Sequence, residues 1–186
     1  MPIMDDLRIK KTTSAIEQAM MELIEIKGFS KIKIIDIANK AQVNRNTIYL
    51  HYQSKEDIVL GIIENHHGEL NVESKIFECL KHKTQKNYLY NLFNDLINGI
   101  EQNIELYRIL LTDHNLNGVL SYRINKYREN LIKGLKNDSK NQIHIDYLIA
   151  GIFGVISKWI IYATSKKENI VNELTEIAYE EMNKLQ

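Results

Sequence analysis

Proline occurs once in this 186-residue chain, at Pro2, and cysteine once, at Cys79. Without internal proline no obligate helix breaker interrupts the chain, and the eight glycines are scattered. Helices with short connections are therefore the favoured reading. A single cysteine excludes an internal disulfide and any zinc site built on cysteines. Net charge is also missing, since 24 Lys/Arg balance 24 Asp/Glu. No glycine-rich phosphate loop, nucleophile elbow or isolated carboxylate pair is present, so neither an enzyme nor a cofactor is expected. The first residues, MPIMDDLRIKK, lack an apolar signal core, which predicts a cytoplasmic protein. The most apolar stretch, Tyr147 to Ala163, is barely long enough for a bilayer span and carries Lys158. A buried helix at a subunit interface is expected there, and no membrane partner.

What the chain does have is helical periodicity. Apolar residues make up 44% of it, enough for one sizeable core or two small domains. Ile16, Ala19, Met20, Leu23, Ile24 and Ile26 form one stripe, closed by Gly28, which predicts a helix over Arg8–Lys27. A second short apolar face, from Ile32 to Ala38, ends near Ala41. Val43 follows as a plug in the turn, and Asn44 is a good N-cap for a third helix beginning at Arg45. Ser54 and Asp57 then have capping-box spacing before the run IVLGIIENHH. Two helices only three or four residues apart have helix-turn-helix spacing. Further helices are predicted over residues 86–103, 105–111, 118–135, 143–164 and 169–185, with a polar loop at 136–142. The class is all-α.

Charge is distributed unevenly. Residues 1–55 hold nine Lys/Arg against six Asp/Glu, while residues 56–186 hold fifteen against eighteen. A basic head on a mildly acidic body suits a protein that touches phosphates with one end. The head also holds the side chains that double-stranded DNA demands. In NRNTIYLHYQSK, residues 44–55, Ile48 and Tyr52 can anchor a short helix while Arg45, Asn46, Thr47, Tyr49 and His51 lie on other faces. Arg45 suits a guanine edge, Asn46 an adenine edge, and Tyr49 a thymine methyl. Lys55, at the start of the next helix, suits phosphate. The bland alternatives are core packing for Tyr49, a solvated cap for Lys55 and a packing or surface role for His51.

The run Ile16…Ala19-Met20…Leu23-Ile24…Gly28-Phe29…Ile34…Asp36-Ile37-Ala38…Ala41…Val43…Thr47-Ile48-Tyr49…Tyr52…Ser54-Lys55-Glu56-Asp57 resembles the N-terminal domain of TetR-type transcriptional regulators. VNRNTIYLHYQSKED, with Gly151-Ile152-Phe153-Gly154…Lys158-Trp159-Ile160, is similar to the branch containing dihydroxyacetone-kinase operon regulators. The resemblance implies a three-helix helix-turn-helix DNA-binding domain over 1–55 and a helical ligand-binding and dimerisation bundle over 56–186. It implies that Thr47, Tyr49, His51 and Lys55 contact DNA. Arg45 and Asn46 would set sequence preference, and Thr12 or Thr13 would touch a phosphate. The chain departs from the family at Lys33, where many members have a capping Thr; Lys33 offers the phosphate a point charge instead.

Gly151 and Gly154 sit one turn apart on an apolar helix that continues through Trp159, and Ile170, Leu174 and Ile177 offer a matching stripe. These residues are expected at a homodimer interface. Tyr88, Tyr107, His114, Tyr122 and Trp159 are candidates for lining the pocket of a small-molecule effector, against the alternative of ordinary core packing. His66-His67 with Glu69, His82 and His144 fit no metal-ligand spacing, so no metal is expected and these histidines are read as surface residues. The expected function is a ligand-responsive repressor that binds a palindromic operator as a dimer, with an activator as the nearest variant. A helical small-molecule enzyme or carrier, and a helical interaction module, are the rivals.

Overall fold

A computed structural model describes residues 2–82, 85–134 and 139–184. Ten α-helices and two 3-10 turns make up the architecture, with no strand among the described residues. The helices are α1 (Pro2–Lys27), α2 (Ile34–Ala41), α3 (Arg45–His51), α4 (Lys55–Glu69), α5 (Val72–Lys81), α6 (Lys86–Gln102), α7 (Ile104–Thr112), α8 (Asn117–Gly134), α9 (Ser139–Tyr162) and α10 (Lys167–Asn183). The chain divides into two compact units: the residues up to Asn65 with Ile109–Val119, and His66–Arg108 with the residues from Leu120 onward.

In the first unit α1 packs on α2, and α2 on α3. Ile16 and Met20 of α1, Ile37 of α2 and Ile48 of α3 are wholly buried. Each such side chain contributes about 1.5–3 kcal/mol of burial. α1 ends where Gly28 turns left-handed, at φ 74°, with its N–H donating to the Ile24 carbonyl at 2.9 Å. The helix starts at Pro2 rather than at Arg8. A proline in the first turn costs nothing, because its missing N–H would have had no intrahelical partner.

The second unit is held by α6 and α10. Leu89, Leu92, Phe93, Ile97 and Ile100 form the buried face of α6. Ile170, Val171, Leu174, Ala178 and Met182 form that of α10, which packs along α6. Lys86, at the start of α6, pairs with Glu176, and Lys167, at the start of α10, pairs with Glu101 at 2.7 Å, so the two helices run antiparallel. Gly99 admits α4 closely: a Cβ there would lie 2.6 Å from Leu70 Cδ1 and 2.9 Å from His66 Nε2.

Two further elements, α9 and α5, differ from the sequence reading. α9 begins at Ser139, so residues 139–142 are helical rather than loop, while 136–138 lie outside the described residues. A polar run can be the solvated first turn of a helix as readily as a loop. α5 has no counterpart among the helices read from periodicity. Leu135 and Leu185, expected at helix ends, also lie outside the described residues.

Candidate nucleic-acid interface and a buried polar network

The sequence sets α3 in place by local means. Asn44 Oδ1 accepts the Asn46 N–H at 2.9 Å, capping the helix. Gln42, at φ 55°, closes α2, and Val43 N–H donates to the Ala38 carbonyl at 3.0 Å, so three residues separate the two helices. Beneath α3, Ile48 is wholly buried and Tyr52 is nearly so. Tyr52 donates its hydroxyl hydrogen to Glu17 Oε1 at 2.7 Å, and Asn65 Nδ2 donates to the same carboxylate at 2.9 and 3.0 Å. One carboxylate of α1 thus ties the end of α3 to α4. Burial and the adjacent Glu17 charge push the Tyr52 phenol well above its ordinary pKa.

Seven of the eight side chains expected at DNA lie on or just before α2, α3 and α4, and Thr12 lies on α1. Arg45 and Asn46 are exposed, and Thr47 and His51 are half-buried. Tyr49 is exposed, but its hydroxyl accepts from Arg45 Nη2 at 3.0 Å, with the guanidinium 5.4 Å from its ring centre. The Thr12 hydroxyl donates back to the Arg8 carbonyl at 2.9 Å. Lys33 is exposed, and its N–H donates to Asp36 Oδ2 at 2.8 Å. An ammonium cannot accept, so only this half of a capping box forms. Asp36 also pairs with Lys27 at 2.7 Å, and these contacts hold its carboxyl below the usual range.

Lys55 is engaged inside the protein. Its Nζ donates to the carbonyls of Phe29 at 3.0 Å and Ser30 at 3.4 Å, and it sits 4.3 Å from the centre of the Phe29 ring. The start of α4 is thereby tied to the 3-10 turn Phe29–Lys31. Ser54 Oγ caps α4 by accepting the Asp57 N–H at 3.1 Å, and Asp57 Oδ2 accepts from the Gln53 N–H at 2.9 Å.

The five candidate pocket residues have different surroundings. His114 belongs to the first unit and the other four to the second. Tyr88 stacks on His82 at 4.6 Å, Tyr122 is exposed, and Trp159 donates Nε1–H to the Ser165 carbonyl at 3.2 Å. Tyr107 alone among them enters a polar network, together with the histidine pair read as surface residues. His67 is only 8% exposed and Arg123 only 5%. Arg123 Nη2 lies 2.9 Å from His67 Nδ1, and His67 Nε2 lies 2.8 Å from the Tyr107 hydroxyl. That hydroxyl lies 2.7 Å from His66 Nδ1, and Tyr127 adds its own hydroxyl 2.6 Å from His67 Nδ1.

A guanidinium only donates, and this directs the whole chain. His67 Nδ1 must accept, so its proton sits on Nε2 and is donated to Tyr107. Tyr107 in turn donates to His66. Burial, then the neighbouring Arg123 charge, push His67 down to about 3, and burial lowers His66. Both rings are neutral at neutral pH. Burial raises both phenols.

On the proposed interface surfaces, Ile170 and Leu174 lie in the α6–α10 core and Trp159 is also buried. Gly151, Gly154 and Ile177 are exposed. Alongside the two glycines on α9 are Ile143, Tyr147, Val155, Ile161 and Tyr162, all exposed. Residues 142–162 are long and apolar enough to cross a membrane by length and composition alone, with exposed Lys158 among them.

Residues 16–62 match the family of bacterial regulatory proteins named tetR. The match lies wholly within the first unit. An HTH-type transcriptional regulator of Bacillus subtilis, YxbF, is 30% identical over 66 residues, 35% of this chain; the match spans 17% of that relative's length. Solved structures of similar fold include three of named regulators. NalD of Pseudomonas aeruginosa, the secondary repressor of the MexAB-OprM efflux pump, has TM-score 0.67 at 20% identity, covering 92% of this chain and 95% of its own. The fatty acid degradation regulator FadR of Bacillus halodurans has TM-score 0.62 at 19% identity, covering 90% and 94%. The dihydroxyacetone kinase operon activator DhaS has TM-score 0.62 at 18% identity, covering 92% and 96%. At these identities the likeness shows the fold.

Proposed function

We propose that the chain is a sequence-specific transcription regulator that reads double-stranded DNA with α3. The observation that carries this reading is the seating of α3: seven residues long, capped by Asn44, anchored by buried Ile48, with Arg45 and Asn46 exposed. A short helix on a small core with donors outward has the form that enters a major groove. Selection of bound sequences from a random duplex pool should return one preferred motif. Binding to it should weaken steeply as salt rises, because each phosphate contact releases counterions. No duplex recovered, or binding indifferent to salt, overturns the proposal.

We further propose that the regulator binds a palindromic operator as a homodimer. The exposed apolar stripe of α9, from Ile143 to Tyr162, with Ile177 of α10, supports a second copy as its cover. Two copies place two α3 helices on symmetric half-sites, and the selected motif should be an inverted repeat.

A small-molecule response is the third part of the proposal, with Tyr107 and its partners as the polar groups an effector would disturb. α4 is one helix from Lys55 to Glu69, carrying Lys55 at one end and His66-His67 at the other. The response proposed runs along this one helix. Such coupling is typically ~1–3 kcal/mol. Released repression is the reading preferred; among the structural relatives one is named a repressor and another an activator. Transcription from a promoter carrying the selected motif, with and without the chain, decides between them.

A further inference from the structure

Leu50 stands out on α3. It is 80% exposed, on a helix where every other outward position carries a polar atom. With about 100° per residue, and buried Ile48 as zero, Asn46 and Leu50 fall at about 160° and 200°. They form one ridge, four residues apart, opposite the anchor. Arg45 and Tyr49 fall on one flank at about 60° and 100°, hydrogen-bonded to each other. Thr47 and His51 fall on the other flank, half-buried. Asn46 and Leu50 are the side chains of α3 turned furthest from its buried anchor.

The two side chains have complementary chemistry. Asn46 can donate to adenine N7 and accept from adenine N6, and the partner of adenine is the one base with a major-groove methyl. An isolated exposed leucine on a surface needs no explanation. This one shares its ridge with an adenine-reading amide, and Tyr49, the other group suited to a methyl, is held to the flank by Arg45. Resting on the proposal that α3 reads DNA, we infer that Leu50 packs on a thymine 5-methyl group and that Asn46 and Leu50 together select an A·T pair in each half-site. Leu50 is thus a specificity residue, alongside the polar groups that orient the helix.

The test uses the full chain and the duplex recovered from the random pool. Each thymine of a half-site is replaced in turn by deoxyuridine, which removes only the methyl. Wild type should lose affinity about fourfold at one position, the factor for one buried methylene-sized group. Leu50→Ala should bind the thymine duplex correspondingly more weakly and respond less than about twofold to the same replacement, since the coupling between protein and methyl has gone. Indifference of wild type to every replacement overturns the inference, and so does full methyl sensitivity in Leu50→Ala, which would assign the contact to another residue. In either case a recovered, salt-sensitive duplex leaves the DNA-binding proposal standing. The absence of any recovered duplex, or binding indifferent to salt, fails both.

Discussion

At the scale of single residues, His67 gives the clearest measurable consequence. Its folded pKa of about 3 lies below the unfolded value of roughly 6.5, so the unfolded chain binds the extra proton. Stability is therefore complete above about pH 6.5 and falls as pH drops towards about 3. Each unit within that window costs up to about 1.4 kcal/mol from this residue. Urea unfolding at pH 7 and pH 5 should show the loss. His67→Leu should be less stable at both but lose distinctly less between them; an equal decline would assign the acid sensitivity elsewhere. Gly99 sits beside the same network. Gly99→Ala must push against Leu70 and the His66 ring, and should destabilise by about 1–3 kcal/mol. A thermal melt unchanged by this substitution would show that α4 has room the geometry denies it. The burial of His67 was not legible in the sequence, because its partners lie 40, 56 and 60 residues away. Only the fold brings an arginine and two tyrosines around one imidazole.

Elements were more legible where their signals are local. Asn44 and Ser54 cap their helices within two or three residues, and Gly28 ends α1 at its own φ. The helix-turn-helix spacing and the anchors Ile48 and Tyr52 follow from the same short segment. The start of α1 and of α9 were misread because polar residues on a helix surface carry no boundary mark. Lys55 was legible as a position but not as a contact, since its carbonyl partners lie 25 and 26 residues earlier. The tie gives a prediction for the element it secures. Lys55→Ala should lower unfolding stability by about 1–3 kcal/mol, the range for hydrogen bonds to a charged group. It should also weaken binding to every duplex alike, by loosening the join between α4 and the turn. If stability is unchanged while binding falls, the ammonium acts on phosphate directly and the tie to Phe29 is incidental.

At the scale of the whole molecule, the exposed stripe on α9 is the feature that most constrains behaviour. Tyr147→Glu places a charge in its middle, where Tyr147 is 67% exposed and makes little of the protomer's own core. Helical content should persist while sedimentation shows a monomer at micromolar concentration, and operator affinity should fall. Wild type sedimenting as a monomer under those conditions would remove the dimer. If a second copy covers the stripe, part of what keeps each copy folded is supplied by mass action, and the melting temperature rises with protein concentration. The number of molecules in a cell then enters twice, once through assembly and once through site occupancy. When assembly is weak, halving the supply cuts the paired form roughly fourfold. A promoter under such control responds to dilution as a threshold, with no ligand needed to set it.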